Sequence, residues 1–301
     1  MILVTGATGT VGREVARRLP AGQRVRLMSR NPAPLGGAGA AAQTVAADYD
    51  DPRSLERALD GVRTALVITN RVGGDDDARL VRAARRAGVR RLVKLSAAAV
   101  LDPGAVDLIT RWQRTTEEQL CASGLEWTLL RPRAFMSNAL SWASSVRAGQ
   151  VVRALNGASA NACVDPADIA EVAVRALTEE GHAGKAYTVT GPEPLTPAEQ
   201  TEQLAEALGV PLRFEELTTE QARAGLAARY PAPLVEALLE SARRQRAGAK
   251  STVDGTVCSL TGRPALTFRK WAQDHRDAFT AGTQSGPARA AGTEERLQAV
   301  S

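Results

Sequence analysis

Three glycines at three-residue spacing lie near the start of the chain: Gly6, Gly9 and Gly12 follow the apolar run 2–4. The pattern predicts a buried strand, a tight turn and a helix that opens at the glycines. Because Gly6 and Gly9 carry no side chain, a diphosphate can approach the backbone, while Gly12 lets the helix pack closely on the strand. The helix N-terminus favours an anion. We predict a diphosphate site formed by Gly6, Thr8, Gly9, Thr10 and Gly12; the alternative is an ordinary glycine turn.

The second predicted strand, 24–29, ends without an acidic residue. In a doubly wound sheet, an acid at this point hydrogen-bonds a ribose 2′-hydroxyl, whereas an arginine accommodates a 2′-phosphate. Ser29 and Arg30 occupy the point here, so we predict NADP(H) rather than NAD(H) as the cofactor. The alternative is that Arg30 is a solvated surface charge.

Polar residues also follow the next three predicted strands. Asp48 and Tyr49 follow the third strand and are expected to border the adenine. Thr69 and Asn70 end the fourth strand, and Ser96 ends the fifth. The carboxyl ends of neighbouring strands line the ligand crevice in open sheets, so all five are candidate cofactor residues. The alternative for each is a turn or helix-cap role.

The loop after the sixth predicted strand is the candidate substrate loop. Phe135, Met136 and Asn138 offer an aromatic ring, a flexible thioether and one amide, which suit a flat, mostly apolar substrate with a carbonyl group. The indole N–H groups of Trp112 and Trp142 are further candidates for substrate contact, with packing as the alternative. For stabilising a developing anion, the catalytic candidates are Ser96, Asn70 and Trp112.

Apolar runs alternate with helical patterns over the first 132 residues. Predicted strands lie at 2–4, 24–29, 41–47, 62–69, 89–96 and 127–130. The alternation predicts an α/β Rossmann fold, in which helices cover both faces of a doubly wound parallel sheet. We predict a dinucleotide-binding core at 1–132, to which some later elements return, a smaller substrate lobe mainly at 133–280 and a disordered tail at 281–301. Beyond the core we predict helices at 138–148, 166–178, 197–208, 222–229, 234–247 and 267–279, and strands at 151–154 and 187–190.

The composition is that of a globular protein, with 44% hydrophobic and 24% charged residues. No apolar run approaches the ~20 residues that span a bilayer, and we expect no targeting segment, no membrane partner and a cytoplasmic location. The net charge of +5 is spread over many predicted helices and aromatic residues make up 4%, so nucleic-acid binding is not predicted. Three isolated cysteines and two histidines predict no metal site.

Six segments resemble the atypical short-chain dehydrogenase/reductases, specifically the NmrA-like branch. They are LVTGATGTVG, SRNP, EEQLCASGLEWTLLRPRAFMSNAL, VDPADIAEVAVRAL, GHAGKAYTVTGPEPLTPAE and TGRPALTFRKW. The resemblance runs from Met1 to about Phe279 and implies NAD(P)H binding through the glycine loop, including Val11, and through Arg30. Members of this family include NADPH-dependent reductases of quinones and of small natural-product intermediates, and also cofactor-sensing regulators without turnover.

The sequence departs from the wider superfamily at the Tyr-x-x-x-Lys pair, in which lysine lowers the tyrosine pKa and the phenol delivers a proton. The residues four positions after Tyr49, Tyr187 and Tyr230 are Arg53, Gly191 and Leu234. Trp112 and Arg114 stand where the pair is expected. An activated quinone, enone or iminium accepts hydride without a strong protein acid, because it can take its proton from water.

Two functions follow from these residues. The first is an NADPH-dependent oxidoreductase that reduces a small aromatic or quinone-like carbonyl, enone or imine without the Tyr-x-x-x-Lys pair. The second is a non-catalytic NADP(H)-sensing regulatory protein. A small-molecule substrate is expected in the first case, and a protein partner or a homodimer is left open.

Overall fold

The computed structural model describes residues 1–31 and 42–280, and its strands form two sheets within those residues. The strands are β1 (Ile2–Val4), β2 (Val25–Ser29), β3 (Ala42–Ala46), β4 (Thr64–Val67), β5 (Arg91–Leu95), β6 (Glu126–Pro132), β7 (Val151–Ala154), β8 (Lys185–Val189) and β9 (Arg213–Glu216). The larger sheet has the order β3-β2-β1-β4-β5-β6-β8, and β7 pairs with β9 in the smaller one.

The first six strands pair in parallel, which confirms the predicted Rossmann fold. The chain leaves β3 at one edge and returns beside β1 as β4, so the strand order reverses between β1 and β4. Ligands of open α/β sheets bind outside the carboxyl ends of the strands at such a reversal point. The glycine loop after β1 lies at this point.

Helices flank the larger sheet and build most of the rest of the described chain. They are α1 (Thr10–Arg18), α2 (Pro52–Leu59), α3 (Asp76–Arg86), α4 (Leu108–Cys121), α5 (Ala143–Gly149), α6 (Pro166–Thr178), α7 (Pro197–Leu208), α8 (Thr219–Ala227), α9 (Ala232–Arg246), α10 (Thr256–Thr261), α11 (Phe268–Asp274) and α12 (Arg276–Thr280). Leucines of α2, α3 and α4 pack with Leu3 and Leu92 of the sheet in one buried cluster. α6 packs against α1 and the central strands.

The chain divides into two compact units. The first contains Met1–Val100, Arg111–Pro132 and Pro166–Thr188, so α6 and most of β8 belong with the larger sheet. The second contains Leu101–Thr110, Arg133–Asp165 and the described residues from Val189 onward. The predicted disordered tail at 281–301 lies outside the described residues.

The second unit has its own core, in which Val152, Leu204, Phe268, Trp271 and Phe279 are buried together. Its two-stranded sheet is parallel, with Val151 opposite Arg213. β9 and α10 were not predicted. Two predicted helices are each divided in the structure. The segment predicted at 138–148 is a 3₁₀ helix (Met136–Trp142) followed by α5, and the helix predicted at 267–279 is α11 and α12, separated at His275.

Candidate functional site

The glycine loop turns sharply at Gly6, where φ is +57°, in the left-handed region that favours glycine. A Cβ atom at Gly6 would lie 3.0 Å from the Cβ atom of Ile68, directly after β4. A Cβ atom at Gly12 would collide with the carbonyl group of Gly6. Both positions therefore require glycine, because the loop, the helix and the neighbouring strand approach one another closely here.

The N-terminus of α1 provides unpaired donors at the same place. Gly9 is the N-cap residue, and its position leaves the helix without a side-chain cap from the described residues. The N–H of Gly9 donates to the carbonyl of Gly6 at 2.9 Å, and the first bond along the helix runs from Arg13 to Gly9. The N–H groups of Thr10, Val11 and Gly12 have no acceptor among the described residues. Three free donors at a glycine-lined helix N-terminus fit the diphosphate of a dinucleotide.

The ends of β2 and β3 place Arg30 and Tyr49 near each other. Arg30 is exposed, and its charge acts on the half-buried Tyr49 ring, whose pKa is raised chiefly by burial. The Tyr49 hydroxyl donates to the carbonyl of Ile68 at 3.4 Å. Ser29 donates to the carbonyl of Asn31 at 3.2 Å, and the carboxylate of Asp48 accepts from the N–H of Asp50 at 2.9 Å. Ser29 and Asp48 therefore make local turn contacts.

A buried lysine that sequence reasoning missed lies at the end of β5. Lys94 is 1% exposed, and its Nζ lies 3.1 Å from Oδ1 of Asp77. The Nζ also donates to the carbonyl of Leu95 at 2.9 Å and to Thr69 Oγ1 at 3.3 Å, and it lies 5.5 Å from the centre of the Trp112 ring. Thr69 in turn donates to the Asp77 carboxylate at 2.8 Å. Thr69 thus belongs to a buried polar network.

Ser96 belongs to a second network. Its hydroxyl donates to Oε1 of Glu117 at 2.5 Å, and Arg131 donates to both oxygens of the same carboxylate at 3.0 and 2.6 Å. In this arrangement the Ser96 proton is already used, so Ser96 has none to offer to a substrate oxygen. Asn70 differs, because it is half-buried and its amide makes no hydrogen bond within the described residues.

The predicted substrate residues have different surroundings. Phe135 and Met136 are 2% and 3% exposed, and Met136 packs in the core of the second unit, where the half-buried Trp142 also lies. Asn138 is half-buried and lines a cavity of about 200 Å³ within that unit. Trp112, in the first unit, is 8% exposed, and its Nε1 is enclosed without a hydrogen-bond partner among the described residues.

A family model described as NAD(P)H-binding matches residues 6–180, which include the glycine loop and end beyond α6. The chain belongs to this NAD(P)H-binding family. NAD(P)H is therefore its cofactor, and the predicted resemblance to NmrA-like atypical short-chain dehydrogenase/reductases is confirmed.

Several proteins similar to this chain are reductases by name. The chain is 54% identical over 279 residues to a (4-alkanoyl-5-oxo-2,5-dihydrofuran-3-yl)methyl phosphate reductase of Streptomyces griseus, covering 93% of this chain and 99% of the relative. It is 37% identical over 287 residues to an NAD(P)H azoreductase of Xenophilus azovorans, covering 93% and 100%. The solved complex of an Escherichia coli NADPH-dependent quinone oxidoreductase with NADPH has a TM-score of 0.78 and 27% identity, covering 91% of this chain and 99% of that one.

These relatives show that the chain is an NAD(P)H-dependent reductase in the broad sense. The individual cofactor and substrate residues, and the preference for NADP(H) through Arg30, stay predictions. Among the described residues, none of the helices combines the length and apolar character that crossing a membrane requires.

Proposed function

We propose that the chain is an NADPH-dependent reductase of an alkanoyl-furanone methyl phosphate. The observation that carries the proposal is the 54% identity to the Streptomyces griseus reductase of this substrate class, which extends over nearly the full length of both chains. An identity that covers both compact units supports a shared substrate more strongly than one confined to the cofactor half.

The chemistry of this substrate accounts for the missing Tyr-x-x-x-Lys pair. The ring double bond is conjugated to two carbonyls, the ring lactone and the alkanoyl group, on the same carbon. When bound, the nicotinamide supplies a hydride. The ring carbon that carries the phosphomethyl group accepts this hydride, and the π electrons move to the carbon between the carbonyls as a doubly stabilised enolate. Water gives the proton to that carbon, so no strong protein acid is required.

The residues of the chain then have binding and orienting roles. The free N–H groups of Thr10, Val11 and Gly12 hold the diphosphate of the cofactor, and Arg30 pairs with its 2′-phosphate. Asn70 is the candidate donor to the developing enolate, because its amide is half-exposed at the end of β4 and has no partner in the described structure. Preorganised donors aimed at a developing oxyanion lower the barrier.

The proposal is tested by mixing the purified chain with NADPH and (4-hexanoyl-5-oxo-2,5-dihydrofuran-3-yl)methyl phosphate. We expect loss of the nicotinamide absorbance and a product that has gained two hydrogens by mass spectrometry. With NADPH deuterated at C4, the label is expected on the ring carbon that carries the phosphomethyl group. Label on the alkanoyl carbon would show ketone reduction instead and would contradict the proposal.

A panel of quinones and azo dyes serves as the comparison, because relatives of the chain include reductases of both kinds. We expect the furanone phosphate to have the highest kcat/KM. If no furanone, quinone or azo compound is reduced while NADPH still binds, the proposal fails and the NADP(H)-sensing alternative gains support.

A further inference from the structure

The second unit contains a cavity of about 200 Å³ into which a buried lysine projects. Lys250 is 8% exposed and lines this cavity together with the amides of Asn138, Asn161 and Gln200. Leucines and alanines form much of the remaining wall. A buried cation among amides and aliphatic groups is the lining expected for an organic anion.

The local backbone fixes Lys250 at this position. α9 ends at Arg246, and the chain then turns at Gly248, where φ is +84°. The carbonyl of Lys250 accepts a hydrogen bond from the N–H of Ala162 at 3.0 Å, which ties the lysine to the segment that carries Asn161. α9 is itself tied to the neighbouring loop, because Gln245 donates to the carbonyl of Ser159 at 2.9 Å.

Lys250 has no anionic partner within the described residues. Its Nζ donates to the hydroxyl of Ser241 at 2.6 Å, and no carboxylate of residues 1–31 or 42–280 lies within ion-pair distance. An ammonium group has three donors, so two N–H groups are left for a ligand. Asn161 is 5% exposed, and its side-chain NH2 group donates no hydrogen bond within the described residues, so it can donate to an anion, whereas its enclosed Oδ1 can only accept.

A second cation, Arg133, lies nearby and forms no ion pair with the part of the chain that the structure describes. Burial is the main cause that lowers the pKa of Lys250, and the guanidinium of Arg133 lowers it further; the Nε of Arg133 is itself buried without a partner among the described residues. The acids that act on these cations have other partners. Asp102 pairs with Arg244, and Asp107 accepts from the N–H of Thr110 at 2.9 Å. Two cations that form no direct ion pair within the described residues attract an anion.

We propose that this cavity binds the phosphate monoester of the substrate, with Lys250 as its principal cation and with the amides of Asn138 and Asn161 completing the site. The inference rests on the proposed function for the identity of the substrate. The phosphate-binding role concerns only residues of the second unit. In this proposal Lys250, which lies outside the glycine loop, determines specificity because it contacts the phosphate, a group that takes no part in the reduction.

The test compares the furanone phosphate with its dephosphorylated alcohol in wild type, Lys250→Met, Lys250→Arg and Lys185→Met. Lys185 is an exposed lysine of the first unit and gives a matched control. We expect Lys250→Met to raise KM for the phosphate by about 10- to 100-fold, as befits a lost charge-assisted bond. The kcat for the phosphate and the kcat/KM for the alcohol should change little. Lys250→Arg should recover part of the affinity, and Lys185→Met should behave as wild type.

Calorimetry provides a readout that does not depend on turnover. Furan-3-ylmethyl phosphate is titrated into each variant after saturation with NADP⁺, so that the dinucleotide site is filled. We expect heat of binding for wild type and Lys185→Met and none for Lys250→Met. Equal loss on phosphate and alcohol, or unchanged binding in Lys250→Met, would overturn the phosphate role even if the furanone is reduced. Lysine-dependent binding without any furanone reduction would support the phosphate site and refute the proposed reaction.

Discussion

Lys250 is a buried cation whose retention is costly to stability. Desolvation lowers its pKa from 10.5 to about 8, with the charge of Arg133 acting in the same direction and those of Cys163 and Asp107 opposing it. At neutral pH the lysine is protonated in both the folded and the unfolded chain. The folded state therefore carries an unpaired charge that costs about 3 kcal/mol, at about 1.4 kcal/mol per pKa unit. Residues that reduce stability in this way are often retained for function.

Lys250→Met is therefore expected to stabilise the ligand-free protein at pH 7 while it impairs phosphate binding. The folded-state pKa lies below the unfolded value, so wild type gains stability as the pH rises from about 8 to 10.5. The difference in the free energy of unfolding between Lys250→Met and wild type should therefore become smaller from about pH 8 to pH 10.5. Urea denaturation at a series of pH values measures it. A variant that is less stable than wild type at pH 7 would show that Lys250 has a structural role.

Arg30 is the residue on which cofactor preference depends in our interpretation. Arg30→Ala should weaken NADPH binding by about 1–3 kcal/mol, because one charge-assisted contact to the 2′-phosphate is lost. NADH has no such phosphate, so its affinity should be nearly unchanged. Fluorescence titration with both cofactors measures the two effects. An equal loss for NADPH and NADH would mean that Arg30 supports the loop rather than the phosphate.

At the scale of elements, the junction of β1, the glycine loop and α1 sets the cofactor site. Gly6 and Gly61 both have positive φ values, +57° and +67°, but a Cβ atom at Gly61 would meet nothing within 4 Å. Alanine at either position carries a similar backbone strain of about 1 kcal/mol. Only at Gly6 would the new methyl group press on Ile68 and move the loop.

Gly6→Ala is therefore expected to abolish measurable NADPH binding, whereas Gly61→Ala should bind the cofactor as wild type does. The Tm of Gly61→Ala should fall slightly, because the strain at a positive φ is still present. Calorimetry with NADPH measures cofactor binding by the two variants, and thermal unfolding measures their Tm. Undiminished binding by Gly6→Ala would contradict the tight approach of the loop to β4.

The sequence predicted elements best where proline marks a helix start. Pro166 and Pro197 each begin a helix whose bounds match the prediction, and each helix ends where its pattern of apolar residues ends. β9 was not predicted because its sequence, RFEE, has one apolar residue. The strand is stabilised by pairing with β7, which lies about 60 residues earlier in the chain. Pairing between distant segments leaves no local signal.

In the candidate site, the glycine loop was predicted from the sequence and the buried lysines were not. The glycine loop has a local pattern because one backbone turn must fit one ligand group, and this pattern is visible in the sequence. Lys94 and Lys250 were missed, because their importance comes from burial among residues that are distant along the chain. Their rarity in an arginine-rich sequence, with four lysines in 301 residues, was the one available signal.

At the scale of the whole molecule, the first unit is discontinuous in sequence. Arg91, 4% exposed in β5, donates to the carbonyls of Ala176 and Glu179 at 3.3 and 2.7 Å and pairs with Glu180 at 2.8 Å. These partners lie in the last turn of α6 or directly after it, and α6 also packs against α1. The glycine loop and the six parallel strands thus depend on residues that come after a long segment of the second unit.

A fragment of residues 1–132 is therefore expected not to fold, although it contains the whole glycine loop. It lacks α6 and β8, so it exposes the covered face of α1 and the edge of β6, and Arg91 keeps its ion pair with Glu126 but loses its bonds to Ala176, Glu179 and Glu180. Circular dichroism and NADPH titration of this fragment, beside a fragment of residues 1–280, check the expectation. A soluble 1–132 fragment that binds NADPH would contradict it.

The same interruption affects the chain as it leaves the ribosome. The edge of β6 emerges unpaired and stays so until β8 has been synthesised, and during that interval the nascent polypeptide presents a long open strand edge. Slow translation across residues 133–165 would lengthen this period of exposure. Aggregation during overexpression should therefore depend on codon choice in that stretch and on chaperones that shield β6 before β8 arrives.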